Sequence, residues 1–127
     1  MNKILHIVET AYRATLQEQD DPALWMVQSL RNNDTDSHVL LQGNAVGYAL
    51  RAQDARGLEF GARKQTQPPQ LQEDLLRLRS SGARVFVVEE HLKSRGIKRN
   101  ELIEDIDVVP EEALPSLFND HDYVFQW

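Results

Sequence analysis

What most limits the folds open to this chain is the way two hydrophobic periods alternate along it. Short apolar runs with β-branched residues recur five times: KILHIV (Lys3–Val8), HVLLQG (His38–Gly43), ARVFVVE (Ala83–Glu89), DIDVV (Asp105–Val109) and DYVFQW (Asp122–Trp127). Runs of this kind are the signature of strands. Between them lie stretches with helical spacing. Asp21-Pro22 reads as a helix cap followed by proline in the first turn, where its missing N–H costs little. Ala23, Val27 and Leu30 then share a face with Leu24, and Trp25 and Met26 widen the stripe. Leu71, Leu75 and Leu78 recur at helical spacing with Leu76 beside them, and Ser80-Ser81-Gly82 stops that helix.

This alternation predicts a three-layer α/β/α sandwich around a mainly parallel five-stranded sheet. The run ARVFVVE is apolar on both faces, which suits a central strand. Short helices are expected over Asn44–Gln53, capped by Asn44, and over Glu90–Gly96. Another opens at Pro110-Glu111-Glu112, with acids where the helix dipole favours them. Pro115 falls inside that last segment and predicts a short or distorted helix. Glu9–Asp21 reads as a long loop. Asp54–Gln70, with two glycines and two prolines, reads as a surface loop with one short extended piece.

The 127 residues fit a single domain over 1–127, with no linker, repeat or low-complexity tail. Twenty acidic residues against fourteen basic ones give a charge of -6, a poor field for free nucleic acid. The opening MNKILHIVET has one lysine and a short apolar run that passes straight into a strand. It predicts no secretory signal, and a cytoplasmic protein with no membrane segment is expected.

Cysteine is absent. That removes disulfides, thiolate metal sites and persulfide chemistry from this chain at once. There is no GxGxxG, no phosphate-loop motif and no G-x-S-x-G serine. The four histidines form no compact ligand pair. No cofactor, no metal and no catalytic residue are therefore expected. His6 reads as a hydrogen-bonded core residue in a strand, and His38 and His121 as surface residues at strand starts. Lys93, Arg95, Lys98 and Arg99 form the densest basic cluster, either a patch for RNA or a partner, or an exposed helix end.

Parallel sheets place their sites beyond the carboxyl ends of the strands. Gly43, Asn44, Glu89, Glu90 and His91 fall there and are the candidate pocket or partner-binding residues. For Glu89 and Glu90 the alternative is a plain role as first-turn acids; for His91 it is simple surface duty. At the other candidate surface, Tyr123, Phe125 and Trp127 enrich the last strand in aromatics. Such residues are favoured in interfaces; for Tyr123 and Phe125 the alternative is that they complete the core.

The segment VFVVEEHLKSRGI (Val85–Ile97) resembles a strand and short helix of the DsrE/DsrF/DsrH superfamily, and most closely its DsrH, or TusB-like, branch. KILHIV, LLQGNAV (Leu40–Val46) and the tail ending in Trp127 resemble further parts of it. The resemblance spans most of the chain except Glu9–Asp20 and Asp54–Pro69. It implies a five-stranded DsrE-like fold. It also implies a place in sulfur relay, linked indirectly to transfer-RNA thiolation or sulfur oxidation, in oligomers of related subunits or of itself. The persulfide-bearing cysteine of the active subunits falls at about Val88, and valine is no nucleophile. The chain is thus expected to be a non-catalytic, cysteine-free subunit acting through protein–protein interaction. The competing expectation is a small-ligand binder or enzyme using the pocket near Gly43, Glu89 and His91.

Overall fold

The computed structural model describes residues 2–10, 22–33, 35–51, 59–64 and 71–127. The predicted cap at Asp21 lies outside them, as do most of the two long loops. Five strands form the main sheet: β1 (Lys3–Val8), β2 (Asp36–Leu41), β5 (Val85–Val88), β6 (Asp107–Val109) and β7 (Tyr123–Gln126). Their order is β6-β5-β2-β1-β7, and each adjacent pair is parallel. A separate two-stranded ribbon pairs β3 (Glu59–Phe60) with β4 (Arg63–Lys64) around Gly61. This is the short extended piece expected between Asp54 and Gln70.

The three central strands are buried on both faces, as parallel strands require. On one face, Val8, Val39, Leu41, Val85 and Val87 meet the helices α1 (Pro22–Arg31) and α2 (Leu71–Ser80) through Ala23, Leu24, Val27, Leu75 and Leu78. Leu92 of α3 (Glu89–Ser94) joins the same cluster. On the other face, Leu5, Ile7, Leu40, Phe86 and Val88 are covered by Leu114, Leu117 and Phe118 of α4 (Leu114–Asn119). The result is the expected three-layer sandwich. Trp25 does not widen the buried stripe of α1; its side of the helix faces water and Trp25 is 56% exposed.

Local chemistry sets the ends of these elements. Gly82 stops α2 with a left-handed φ of 93°. Pro115 occupies the first turn of α4, where no intrahelical N–H is missed, and the chain enters that helix through a 3-10 turn at Glu111–Ala113. The helix expected over Asn44–Gln53 is instead a 3-10 helix over Gly43–Ala49, and Asn44 does not cap it. Ala45 to Ala49 are all buried, so this segment has no solvent face to support a long amphipathic helix. After Ala49 the backbone turns to other partners: Ile103 N–H donates to Ala49 O and Arg51 N–H to Glu101 O, both at 2.8 Å.

Candidate functional site

All five strands run the same way, so their carboxyl ends gather the segments that follow them. Gly43 comes after β2, Glu89 to His91 open α3 after β5, and Glu111 follows β6. The chain can pass Glu9 closely at Gly43, whose φ is 56°; a Cβ there would lie 3.2 Å from Glu9 Cγ.

The structure brings the candidate residues together, and it joins them to each other. Gly43 N–H donates to His91 Nδ1 at 2.8 Å. The other ring nitrogen must then carry the proton, and Nε2–H donates to Glu111 Oε1 at 3.1 Å. Glu90 reaches the same turn: both its carboxylate oxygens accept the Glu111 N–H, at 3.1 and 3.2 Å. Asn44 Oδ1 accepts from Arg95 Nε and Nη2. Glu89 Oε1 takes Arg99 Nη2 at 2.9 Å, with Lys93 Nζ at 3.8 Å. Three of the four cations in the basic cluster, Lys93, Arg95 and Arg99, are therefore engaged with neighbouring side chains, and Arg51 Nη2 donates to Asn100 O beside them.

Glu111 is a member of this cluster that the sequence marked only as a first-turn acid, and Arg95 joins it from the basic cluster. The signal for Glu111 was its place after β6, the same carboxyl-end position that marked Glu89. Val88, about where the resemblance put a cysteine in other proteins, is fully buried under α4. Among the described residues no group of three histidine or acidic side chains is arranged to hold a metal ion, and no helix is long and apolar enough to cross a membrane. A groove between α1 and α2 is lined by Leu24, Trp25, Gln28, Asp74, Arg77 and Leu78, none of them a member of this cluster.

The aromatic residues of β7 do not complete the core. Tyr123, Phe125 and Trp127 are 51%, 47% and 41% exposed on the edge strand. The rings of Tyr123 and Phe125 stack, with centroids 6.4 Å apart. Their inner flank rests on His6, whose ring centroid lies 5.8 Å from that of Phe125 and 6.3 Å from that of Trp127. His6 is fully buried and bonded, as expected of a core histidine. Trp127 Nε1–H donates to His6 Nδ1 at 3.2 Å, so Nε2 holds the proton and faces Ser37 Oγ at 3.4 Å. Burial, aided by the nearby charge of His38, pulls the His6 pKa from 6.5 down to about 4.

His38 is a correction to the sequence reading. It is 4% exposed rather than at the surface. Arg84 N–H donates to its Nδ1 at 2.8 Å, and its Nε2–H meets Asp36 Oδ1 at 2.9 Å. Satisfied at both nitrogens, the ring can be buried without an orphaned polar atom. Burial lowers its pKa despite Asp36, whereas Asp36 itself is held below the usual carboxylate range because His38 and Arg31 outweigh its own desolvation. His121 is also half-buried, donating from Nδ1 to Leu117 O at 2.7 Å.

Fold and site together define a parallel, three-layer α/β/α domain whose strand-end cluster is closed by its own side chains and whose aromatic edge strand is open. Two solved structures share this fold over the full length of both chains. The YchN protein of E. coli superimposes with a TM-score of 0.76 at 21% identity. A protein of unknown function from Methanobacterium thermoautotrophicum, MTH1491, does so with a TM-score of 0.67 at 13% identity. The DsrE-like fold expected from the sequence is thus the fold observed, while the finer DsrH branch is not distinguished by these likenesses. No family model matches the chain. No curated protein matches it either.

Proposed function

We propose that this chain works through protein–protein interaction, as a non-catalytic subunit of a cytoplasmic sulfur-relay assembly of the DsrE/DsrF/DsrH or TusBCD kind. Its partners are related subunits or further copies of itself. The observation that carries the reading is the row of exposed aromatic side chains, Tyr123, Phe125 and Trp127, on an edge strand. Aromatic residues offer large contact area at little entropic cost and are enriched in interface cores. Two further features agree with a role other than sulfur carriage. The chain has no thiol, and the position matching the family's cysteine is a buried valine. The strand-end cluster, with both nitrogens of His91 already bonded, supports docking of a polar loop more readily than proton transfer.

The test is purification at native expression level with mass spectrometry of the co-purifying chains, followed by sedimentation equilibrium of the complex. Association is expected to give a mass well above the 14.6 kDa of one chain. Phe125→Lys should reduce it, and Glu89→Ala or His91→Ala should weaken it without unfolding the domain. A clean monomer at micromolar concentration, with and without co-purifying subunits, refutes the reading. Turnover that either strand-end variant abolishes would replace it with the enzyme reading.

A further inference from the structure

The two edges of the sheet are built differently. β6 is three residues long, begins with Asp107, and is followed by Pro110. Short length, charge and proline are devices that keep an edge from pairing with another chain. β7, one residue longer, lacks charge and proline within it: YVFQ carries neither, nor glycine, and all four residues are exposed. Val124, 41% exposed on the opposite face from the aromatics, makes the strand apolar on both sides.

The ladder fixes which backbone groups are free. Trp127 N–H donates to Ile7 O at 2.8 Å, and Trp127 O accepts from Glu9 N–H at 3.4 Å. With Phe125 opposite His6 and Tyr123 opposite Ile4, alternation directs the N–H and C=O groups of Tyr123, Phe125 and Trp127 toward β1. Those of Val124 and Gln126 point away from the sheet, with no strand beside them among the described residues.

The surroundings state the charge of what fits there. Residues 101 to 127 contain eight acidic side chains and no lysine or arginine. Asp120 and Asp122 stand at the start of β7, and Glu9 reaches its end, where Gln126 Nε2 donates to Glu9 Oε2 at 2.9 Å. A second copy would bring like charges to this edge, because its β7 is flanked by the same acids and its β6 begins with Asp107, just after Asp105.

We infer that β7 accepts an added strand from a partner chain, an extended segment of alternating apolar residues flanked by lysine or arginine. The inference rests on the interaction reading above and specifies its mode. The partner strand hydrogen-bonds Val124 and Gln126, sets apolar side chains beside Tyr123 and Phe125, and meets the acids with its flanks.

Two capped decapeptides serve as probes. Each alternates valine and threonine in the middle; one has two lysines at each end, the other two glutamates. With isotope-labelled protein, the lysine peptide should shift and slow the exchange of the Val124 and Gln126 amides. It should bind at least about tenfold more tightly than the glutamate peptide at low salt, and the gap should shrink as salt is added. Val124→Pro removes one outward N–H and should abolish binding. Asp120→Lys, an exposed change, should weaken the lysine peptide several-fold with the fold untouched. Equal binding of the two peptides, or shifts that leave Val124 and Gln126 unmoved, overturns strand addition even if sedimentation shows a larger assembly. Self-association that protects those two amides overturns the basic partner while leaving the interaction reading intact.

Discussion

Replacing His6 by asparagine separates one buried ring from every other titrating group. Asparagine keeps an oxygen able to accept the Trp127 indole N–H where His6 Nδ1 now does so, but it cannot titrate. In the folded parent the ring resists protonation until about pH 4, whereas in the unfolded chain it takes up its proton near 6.5. The unfolded state therefore binds more protons between those values, and acid favours unfolding. Stability is fully present above about pH 6.5 and is lost as pH falls toward about 4. Each pKa unit is worth about 1.4 kcal/mol, so from pH 7 to pH 4.5 the ring alone should remove roughly 2.5 kcal/mol. His38, also lowered by burial, contributes a loss of the same sign in both proteins. The assay is urea unfolding followed by far-ultraviolet circular dichroism and tryptophan fluorescence at both pH values. The parent should lose roughly 2.5 kcal/mol more than His6→Asn over that interval. Equal losses, within about 0.5 kcal/mol, would refute the picture of a neutral, buried His6; so would a His6 Cε1 proton signal titrating near 6.5.

Other outcomes follow from packing, backbone and composition. Leu40 is fully buried under α4 and Leu76 is 43% exposed, so Leu40→Ala should cost about 2–5 kcal/mol in chemical denaturation and Leu76→Ala well under about 1 kcal/mol. Gly43→Ala forces a left-handed φ and crowds Glu9, a cost of roughly 1–2 kcal/mol. Gly61→Ala, with φ 63° and nothing near its Cβ, should cost less in the same titration. Incubation with a persulfide donor should leave the intact mass unchanged, because no thiol is present to carry sulfur; a stable gain of one sulfur atom would contradict this.

How much of this was legible in the sequence depended on how local the deciding interaction was. The leucine spacing of α2 and the unbroken apolar run of β5 each reflect a single period set by burial, and both elements stand where the residues predicted them. The 3-10 turn at Gly43–Ala49 was not legible, because its form depends on burial from all sides and on backbone partners at Glu101 and Ile103, far along the chain. His38 reads as polar and peripheral in sequence. What permits its burial is the Arg84 backbone N–H and Asp36, which satisfy both of its nitrogens. At the strand ends, position pointed to Gly43, Glu89 and His91. Glu111, the bond partner that closes the cluster on His91, came from a later segment that only the parallel topology brings alongside.

The strand order has a consequence for how the chain assembles. β1, β2, β5 and β6 lie side by side in the order of synthesis, so each new strand finds its neighbour already made. β7 breaks that sequence: it returns across the whole chain to the far side of β1, where Asp122 N–H donates to Lys3 O at 2.7 Å. Closing so long a loop costs entropy before the new contacts repay it. β1 thus keeps an unpaired edge until β7 is made, and the ladder beside His6 forms after those that join β1, β2, β5 and β6. Until then Ile4 and Ile7 present an apolar border that other nascent chains, or a chaperone, can reach. Slowing the supply of β7, by rare codons or by a stall just before Tyr123, should lengthen that window.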